Sequence, residues 1–379
     1  MKKKILIFTG GGLAPALNAT LYGVISSAQK NKLQVLGGMF GWACLGEEGK
    51  IIDLTNTNIE PIKNTGGTFL RSSRTDPYKL PKGIKGIKKR IKDLDIDYII
   101  AIGGNDTLGA ASRLAKDGVA IIGVPKTVDN DIPQTYFSPG FASAAHYISN
   151  FCNEIREDAA FALSRIYIVE IMGADSGWLT AASSYGNADV IIPPEKQVDL
   201  KNLLKIIKKR YNTNGKFATV AVAQHANFGK SLSAIEDDQK DEYGTKRPEF
   251  IGLALRDKIK KELNINTKLV APGNYAQTGP PIDLDRKLGQ KLGKHAVRLL
   301  QQGKTGYMVN ITNSDGKLTI SDTELNSIDW KKLKILDNTY FDFDKYQVKK
   351  KFLNYMKPIL GKYKNLDSNY WKLIKKINK

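Results

Sequence analysis

The chain is poor in the residues that build disulfide frameworks, metal cages and membrane spans. It has two cysteines and three histidines. Cys44 and Cys152 cannot make a disulfide framework, and no Cys/His cluster has zinc-ligand spacing. They read as ordinary buried thiols, and the expected compartment is a reducing cytoplasm. His146, His225 and His295 are far apart in sequence, which argues against a His-based metal cage. No apolar run approaches the ~18–20 residues that span a bilayer. The start, MKKKILIFTGGG, runs straight into Gly10, Gly11 and Gly12 and reads as a strand, not a signal peptide. Arginine is also scarce: 11 of 58 basic residues. The net charge of +20 would by itself suggest nucleic acid or an anionic membrane. Yet residues 331–379 hold 14 Lys and 4 Asp, a net +10, so half of the charge sits in the last 49 residues. The lysine surplus reads as compositional, with neither nucleic acid nor membrane as partner.

What is present is a chain of 379 residues, 41% hydrophobic, enough for two or three domains with sizeable cores. Short apolar runs end in glycine or another turn residue: KILIFTG (4–10), YIIAIGG (98–104), VAIIGVP (119–125), RIYIVEIMG (165–173), DVIIPPE (189–195) and FATVAVAQ (217–224). Between them lie helix-like stretches, Ala16–Lys30, Gly83–Lys92, Asp106–Asp117, Phe141–Asp158, Leu200–Tyr211 and Asp285–Gln301. Continuous apolar strands alternating with amphipathic helices predict an α/β, doubly wound chain with Rossmann-like parallel sheets buried on both faces. Ligands then bind at the carboxyl ends of strands. The aromatic, basic C-terminal segment predicts a pair of short helices, QVKKKFLNYMKPIL and NYWKLIKKI, broken by Pro358 and Gly361. Trp42, Trp178, Trp330 and Trp371 read as packing residues.

Four segments suit phosphate chemistry. TGGGLAPALNAT (9–20) and AIGGNDTLGAA (101–111) each run from strand through glycines to helix, where backbone N–H groups and the helix dipole favour anions. GVPKTVDNDIPQT (123–135) gathers Lys126, Thr127, Asp129 and Asp131, a cation for a phosphoryl group, a carboxylate for a hydroxyl proton and another for Mg2+. GGTFLRSSRTDPY (66–78) offers Arg71 and Arg74 as a phosphate clamp. Singly, each also fits a steric glycine turn or an Asx-rich turn.

Together, in this order and with MGADSG (172–177) following, these motifs resemble the phosphofructokinase family over residues 4–300. The resemblance implies two Rossmann-like domains, Mg2+, and phosphoryl transfer to a sugar hydroxyl in a cleft completed by a neighbouring subunit of a homodimer or homotetramer. It places a donor (phosphate)-binding domain at 1–141 plus about 275–310, and an acceptor-binding domain at about 142–274 plus 311–335. A C-terminal extension covers 336–379. By resemblance Asp129 is the catalytic base, helped by Lys126, Thr127 and Asp131. Gly11, Gly12, Arg74, Gly104, Asn105, Asp106 and Thr107 face the donor, and Asn105 and Asp131 the metal. Arg165, Met172, Gly173, Gln224, Lys268, Asn274 and Gln277 face the acceptor, with Arg165 and Lys268 serving the neighbouring subunit. Asp106 and Lys126 match the diphosphate-using branch: a carboxylate at 106 repels and obstructs the α-phosphate of ATP, while Lys126 holds a short donor. ATP is the less favoured donor. Asp106 also suits a helix N-cap.

The pattern departs from the family at Leu13, Ala16, Ala43, Asn105, Ala142, Ala174, Gln224, Lys268, Asn274 and Gln277. Asn274 and Gln277 stand where relatives grip the acceptor's phosphate with charged or imidazole side chains. Each lost charge-assisted bond costs about 1.5–3 kcal/mol. His225, beside Gln224, fits an acceptor contact or a structural role equally. Three readings follow: a diphosphate-dependent phosphofructokinase; a diphosphate-dependent kinase of another sugar, polyol or sugar phosphate; and a non-catalytic binding or regulatory paralogue. The acceptor substitutions predict that fructose 6-phosphate is a poorer acceptor than a less charged polyol. An acceptor screen reading orthophosphate release checks this, and a micromolar KM for fructose 6-phosphate would refute it.

Overall fold

The structure is a computed structural model that describes residues 2–161, 164–233, 235–240, 246–363, 373, 376 and 377. The chain divides into two compact units. The first comprises Met1–Ser143, Lys240–Thr245 and Gln277–Leu333; the second Ala144–Gln239, Lys246–Ala276 and Lys334–Lys379.

The first unit is built on a seven-stranded sheet. The strand Lys4–Thr9 runs parallel between Gln34–Gly38 and Tyr98–Gly103. Ile121–Pro125 follows parallel to Tyr98–Gly103, and Tyr307–Ser314 parallel to Ile121–Pro125. Antiparallel strands finish both edges: Ile51–Asp53, and Lys317–Glu324 in a hairpin with Tyr307–Ser314. Ile5, Leu6, Ile7 and Phe8 are all fully buried, because the sheet is covered on both faces and alternation is not required. Leu6 and Phe8 share a cluster with Ile87, Leu108 and Leu114 of the helices Gly83–Asp93 and Asn105–Lys116.

The helices Leu17–Lys30 and Asp283–Gln301 cross at close range through glycine. A Cβ on Gly23 would lie 2.3 Å from the Gln290 carbonyl oxygen, and one on Gly293 2.5 Å from that of Thr20. This contact brings residues 283–301 onto the helix that follows the first glycine turn.

The second unit holds a four-stranded parallel sheet in the order Thr267–Val270, Ile166–Ile171, Ala218–Ala223, Val190–Ile192. Its core joins these strands to Leu203 and Ile207 of Leu200–Thr213 and to Leu255 and Ile259 of Ile251–Leu263. The buried Glu170 accepts from the N–H groups of Phe250 (3.1 Å) and Gly252 (2.6 Å), satisfying donors at the start of the latter helix.

The division differs from the sequence expectation at two places. Residues 311–333 belong with the first unit, because Tyr307↔Ile122 pairing adds the hairpin to the first sheet. The described residues 336–363 are no separate extension: they belong to the second unit. Leu336 N–H donates to Glu195 Oε1 at 2.8 Å, and Ile191 N–H donates to Tyr346 O at 3.0 Å. The helix Lys350–Leu360 buries Phe352, Tyr355, Met356 and Ile359, with Phe352 and Tyr355 ring-packed on the buried Trp178. Its lysines 350, 351 and 357 face solvent. Pro358 does not break this helix. It removes one N–H near the last turn, the buried stripe outweighs that loss, and the helix stops at Gly361 with φ 84°. The expected second helix, NYWKLIKKI, and Trp371 lie outside the described residues save for positions 373, 376 and 377. Cys44 and Cys152 are buried free thiols, and burial pushes Cys152 up to about 12. Gly23→Val should force the two helices apart and destabilise the fold by about 1–3 kcal/mol, measured as a lower urea midpoint; an unchanged midpoint would contradict the close crossing.

Candidate active site

In the first unit the carboxyl ends of three adjacent parallel strands carry the chemistry. Lys4–Thr9 runs into Gly10–Gly12, Tyr98–Gly103 into Gly104 and a helix, and Ile121–Pro125 into Lys126. Gly10 N–H donates to Ile102 O (2.8 Å) and Lys126 N–H to Gly103 O (2.9 Å), which pins the three ends side by side. Gly11 takes φ +82°, a conformation that favours glycine.

Lys126 is 3% exposed. Its Nζ donates to the Gly12 carbonyl at 2.5 Å, and a Cβ on Gly11 would stand 3.6 Å from that nitrogen. Burial pulls the ammonium down to about 8, helped by the charge of Arg74 and opposed by Asp129 and Asp131. A partly desolvated cation therefore lies against the glycine turn, with two carboxylates close enough to act on it. Thr127 Oγ1 donates to Asp129 Oδ2 and accepts from the Asp129 N–H, both at 3.1 Å. This turn holds the half-buried carboxylate in one orientation. Ser138 Oγ donates to Thr127 O at 3.1 Å and fixes the loop from behind.

Asn105 opens the helix Asn105–Lys116, and its Nδ2 donates to Asp131 Oδ2 at 2.6 Å. The buried Asn105 Oδ1 has no hydrogen-bond partner among the described residues. An orphaned amide oxygen beside a carboxylate suits a hard cation such as Mg2+, which takes oxygen ligands and shares them with phosphate. The residues present thus fit the metal that the family implies. Among the described residues no group of three or more His, Cys, Asp or Glu could hold a metal alone.

Two neighbouring donor-side residues are placed differently. Thr107 is 3% exposed and packs into the space that a Cβ on Gly10 or Gly103 would fill, at 2.5 and 2.4 Å. It seats the helix on the strand ends instead of presenting an open hydroxyl. Asp106 is not an N-cap: that position is Gly104, with extended backbone, and Asp106 is an exposed acid of the first turn. The GGTFLRSSR segment is tied to the same turn. Ser73 O accepts from Gly11 N–H (2.9 Å), and Ser72 Oγ donates to Gly11 O (2.7 Å). Arg74 is exposed there. The serine braces were legible only as members of that motif. Gln277, expected on the acceptor side, also belongs to this unit, with its Oε1 3.7 Å from where a Gly12 Cβ would stand.

In the second unit the expected acceptor residues fall at opposite ends of one sheet. Met172 and Gly173 follow the carboxyl end of Ile166–Ile171, and Gln224 N–H bonds to Ile171 O (2.9 Å) at the same end. Gly173 has φ 146° and accepts from Ser176 N–H at 3.0 Å. His225 Nδ1 pairs with Asp175 Oδ1 at 3.0 Å, a hydrogen bond that lowers the Asp175 carboxyl below its usual range. Arg165 precedes the amino end of the strand, and Lys268 pairs in register with Tyr167 near that end. The strand between Arg165 and Met172 spans roughly 20 Å at ~3.3 Å per residue. Arg165 is 8% exposed, its guanidinium beside the Tyr167 ring, and Lys268 is exposed. Asn274 is exposed in the turn Gly273–Gln277.

The chain is similar to known proteins. A family model described as Phosphofructokinase matches residues 4–300. A pyrophosphate–fructose 6-phosphate 1-phosphotransferase of Dictyoglomus thermophilum is 35% identical over 316 residues, 83% of this chain and 91% of that protein. The same-named protein of Amycolatopsis methanolica is 32% identical over 86% of this chain and 96% of its own length. An ATP-dependent 6-phosphofructokinase of Corynebacterium efficiens is 30% identical over 81% of this chain and 89% of its own. In fold, the crystal structure of a pyrophosphate-dependent phosphofructokinase from Marinobacter aquaeolei matches with TM-score 0.82 at 23% identity, covering 96% of this chain and 92% of that one. With its glycine turns, its PKTVDND loop and most of its length matched, the chain belongs to the phosphofructokinase family.

Proposed function

We propose that the chain transfers a phosphoryl group from diphosphate to a sugar hydroxyl, as its pyrophosphate-dependent relatives are named to do with fructose 6-phosphate. The observation that carries this reading is Lys126, a buried ammonium against the Gly12 carbonyl, three residues before a carboxylate oriented by Thr127. Lys126, the glycine turn and Arg74 bind the transferring phosphoryl group and offset its charge. Asp129 takes the proton of the acceptor hydroxyl as its oxygen bonds to phosphorus and the bridging P–O bond breaks, releasing orthophosphate. Mg2+, when bound through Asn105 Oδ1 and Asp131, neutralises phosphate charge. Asp106, exposed on the first helical turn, places a negative charge where a longer nucleotide donor would pass, which favours diphosphate over ATP.

On the acceptor side, Met172, Gly173 and Gln224 gather at the carboxyl end of the second sheet, while Arg165 and Lys268 lie toward the other end. One acceptor cannot bridge that strand, so the two cations serve a second copy of the chain, in a homodimer or homotetramer. The neutral amides of Gln224 and Asn274 favour an acceptor with less charge, which keeps a polyol or other sugar as the second reading. No helix among the described residues is long and apolar enough to cross a membrane. We place the enzyme in the cytoplasm.

Purified protein with Mg2+ should release orthophosphate from diphosphate in an acceptor-dependent manner and should turn over ATP more slowly; equal or faster turnover with ATP would reverse the donor assignment. Asp129→Ala should lower kcat by about 10²–10⁴ with an unchanged unfolding transition. Donor affinity should also depend on pH. Below about 8 Lys126 carries its charge in the free protein, whereas above it the neutral amine must take up a proton when the anion binds. The KM for diphosphate should therefore rise as pH increases through about 8, by about tenfold per pH unit at the limit, and Lys126→Met should flatten that rise.

A further inference from the structure

Two non-glycine residues in left-handed backbone stand together beside the donor turn. Phe40 has φ 62° and Arg71 φ 58°. Side chains disfavour this conformation, which persists only where its surroundings hold it. Here they do. Phe40 N–H donates to Leu70 O (3.1 Å), and Phe40 O accepts from Ser73 Oγ (2.6 Å). The Arg71 carbonyl accepts from Thr9 Oγ1 at 2.9 Å, the last residue before the glycines. The result is an exposed guanidinium lying over an exposed phenyl ring, 5.4 Å from its centroid. Among the described residues no carboxylate forms a salt bridge with Arg71, although the same loop is bonded to Gly11 through Ser73 O. A cation held in strained backbone, backed by an aromatic face and lacking an acid to pair with, is built for an anion that arrives from solution.

We propose that Arg71, braced by Phe40, is a donor-binding residue additional to Arg74 and Lys126, and that it grips the phosphate of diphosphate that departs as orthophosphate. This rests on the diphosphate reading above. The Arg71 backbone is anchored to Thr9, at the mouth of the turn that holds Lys126, so its side chain meets the outer end of a short donor while Lys126 meets the inner end. Its loss weakens donor binding and leaves acceptor binding alone.

The test measures equilibrium binding of methylenediphosphonate, a non-transferable diphosphate, by calorimetry with Mg2+ present, alongside KM for the acceptor. Arg71→Gln and Arg71→Gly should weaken binding of the analogue by about 10- to 100-fold, the loss expected for one charge-assisted contact. Arg71→Lys should fall between them and the parent, and Phe40→Leu should weaken binding by a smaller factor. The acceptor KM should stay within about twofold. Arg71→Gly also removes the left-handed penalty, so its unfolding midpoint should equal or exceed that of the parent, separating binding from folding. If the parent binds the analogue and Arg71→Gln binds it equally well, the inference is wrong and the donor reading stands. If the parent does not bind it, both are overturned.

Discussion

Burying the Lys126 ammonium is the constraint on which the first unit depends. A cation taken out of water carries a penalty of several kcal/mol unless other groups solvate it. The Gly12 carbonyl does so directly, and Asp129 and Asp131 act on it through space. That carbonyl meets the amine in a turn where Gly11 takes φ +82°, a conformation that favours glycine. The turn is held in place by Gly10 bonded to Ile102 and Lys126 to Gly103 across three adjacent parallel strands, and by Ser72 and Ser73 bonded to Gly11. Parallel order puts all three carboxyl ends at one edge, and both-face burial explains why those strands read as unbroken apolar runs. A lowered lysine poised near neutral pH is thus a consequence of the sheet as much as of the motif.

The helices and the continuous strands were legible because they repeat one pattern. Leu17–Lys30, Gly83–Asp93, Asn105–Lys116, Phe141–Phe161, Leu200–Thr213 and Asp283–Gln301 fall within a few residues of their expected bounds. The strands that escaped notice are of other kinds. Gln34–Gly38 ends in two glycines, and Thr267–Val270 is short and at an edge. The hairpin of Tyr307–Ser314 and Lys317–Glu324 did carry a signal, the Asp315–Gly316 pair. Both residues have positive φ, 50° and 86°, as a two-residue turn of this handedness requires. The hairpin ties residues 307–324 to the first sheet, which is why the unit boundary differs from the sequence expectation. The site was legible as a set of residue types but not as a geometry. Asp106 and Thr107 show the difference: one residue along a helix separates an exposed acid from a buried hydroxyl wedged against two glycines.

Strand length sorts the second unit in the same way. Arg165 and Met172 flank one six-residue strand, so a motif that reads as local is split between two edges of the sheet. The cations Arg165 and Lys268 share one edge, and the neutral Gln224 shares the other with Met172 and Gly173. The aromatic C-terminal segment joins this unit through apolar contact, with Tyr340, Phe352 and Tyr355 around Trp178 and the Lys334 ammonium 5.1 Å from the Trp178 ring. The lysines of its described helix point outward. Part of the lysine surplus is therefore a solvated face on a helix whose other face is core.

Asn105 is the departure that most favours a non-catalytic reading, and its geometry argues the other way. A carboxylate at that position would face Asp131 at hydrogen-bond distance, and two like charges there repel unless a cation lies between them. The amide instead donates to Asp131 at 2.6 Å, which holds the carboxylate in place without a metal and leaves its own Oδ1 buried and unbonded. The exchange would lower by one the negative charge that the proposed Mg2+ site offers, while leaving the Asn105 amide oxygen as a ligand for the ion. A diphosphate brings more negative charge to the metal than the lost carboxylate supplied, so the complex of metal and donor can bind where the metal alone binds weakly. On the function proposed above, Mg2+ site and donor site would be coupled, each completed by the other, with Lys126 and the glycine turn already in place.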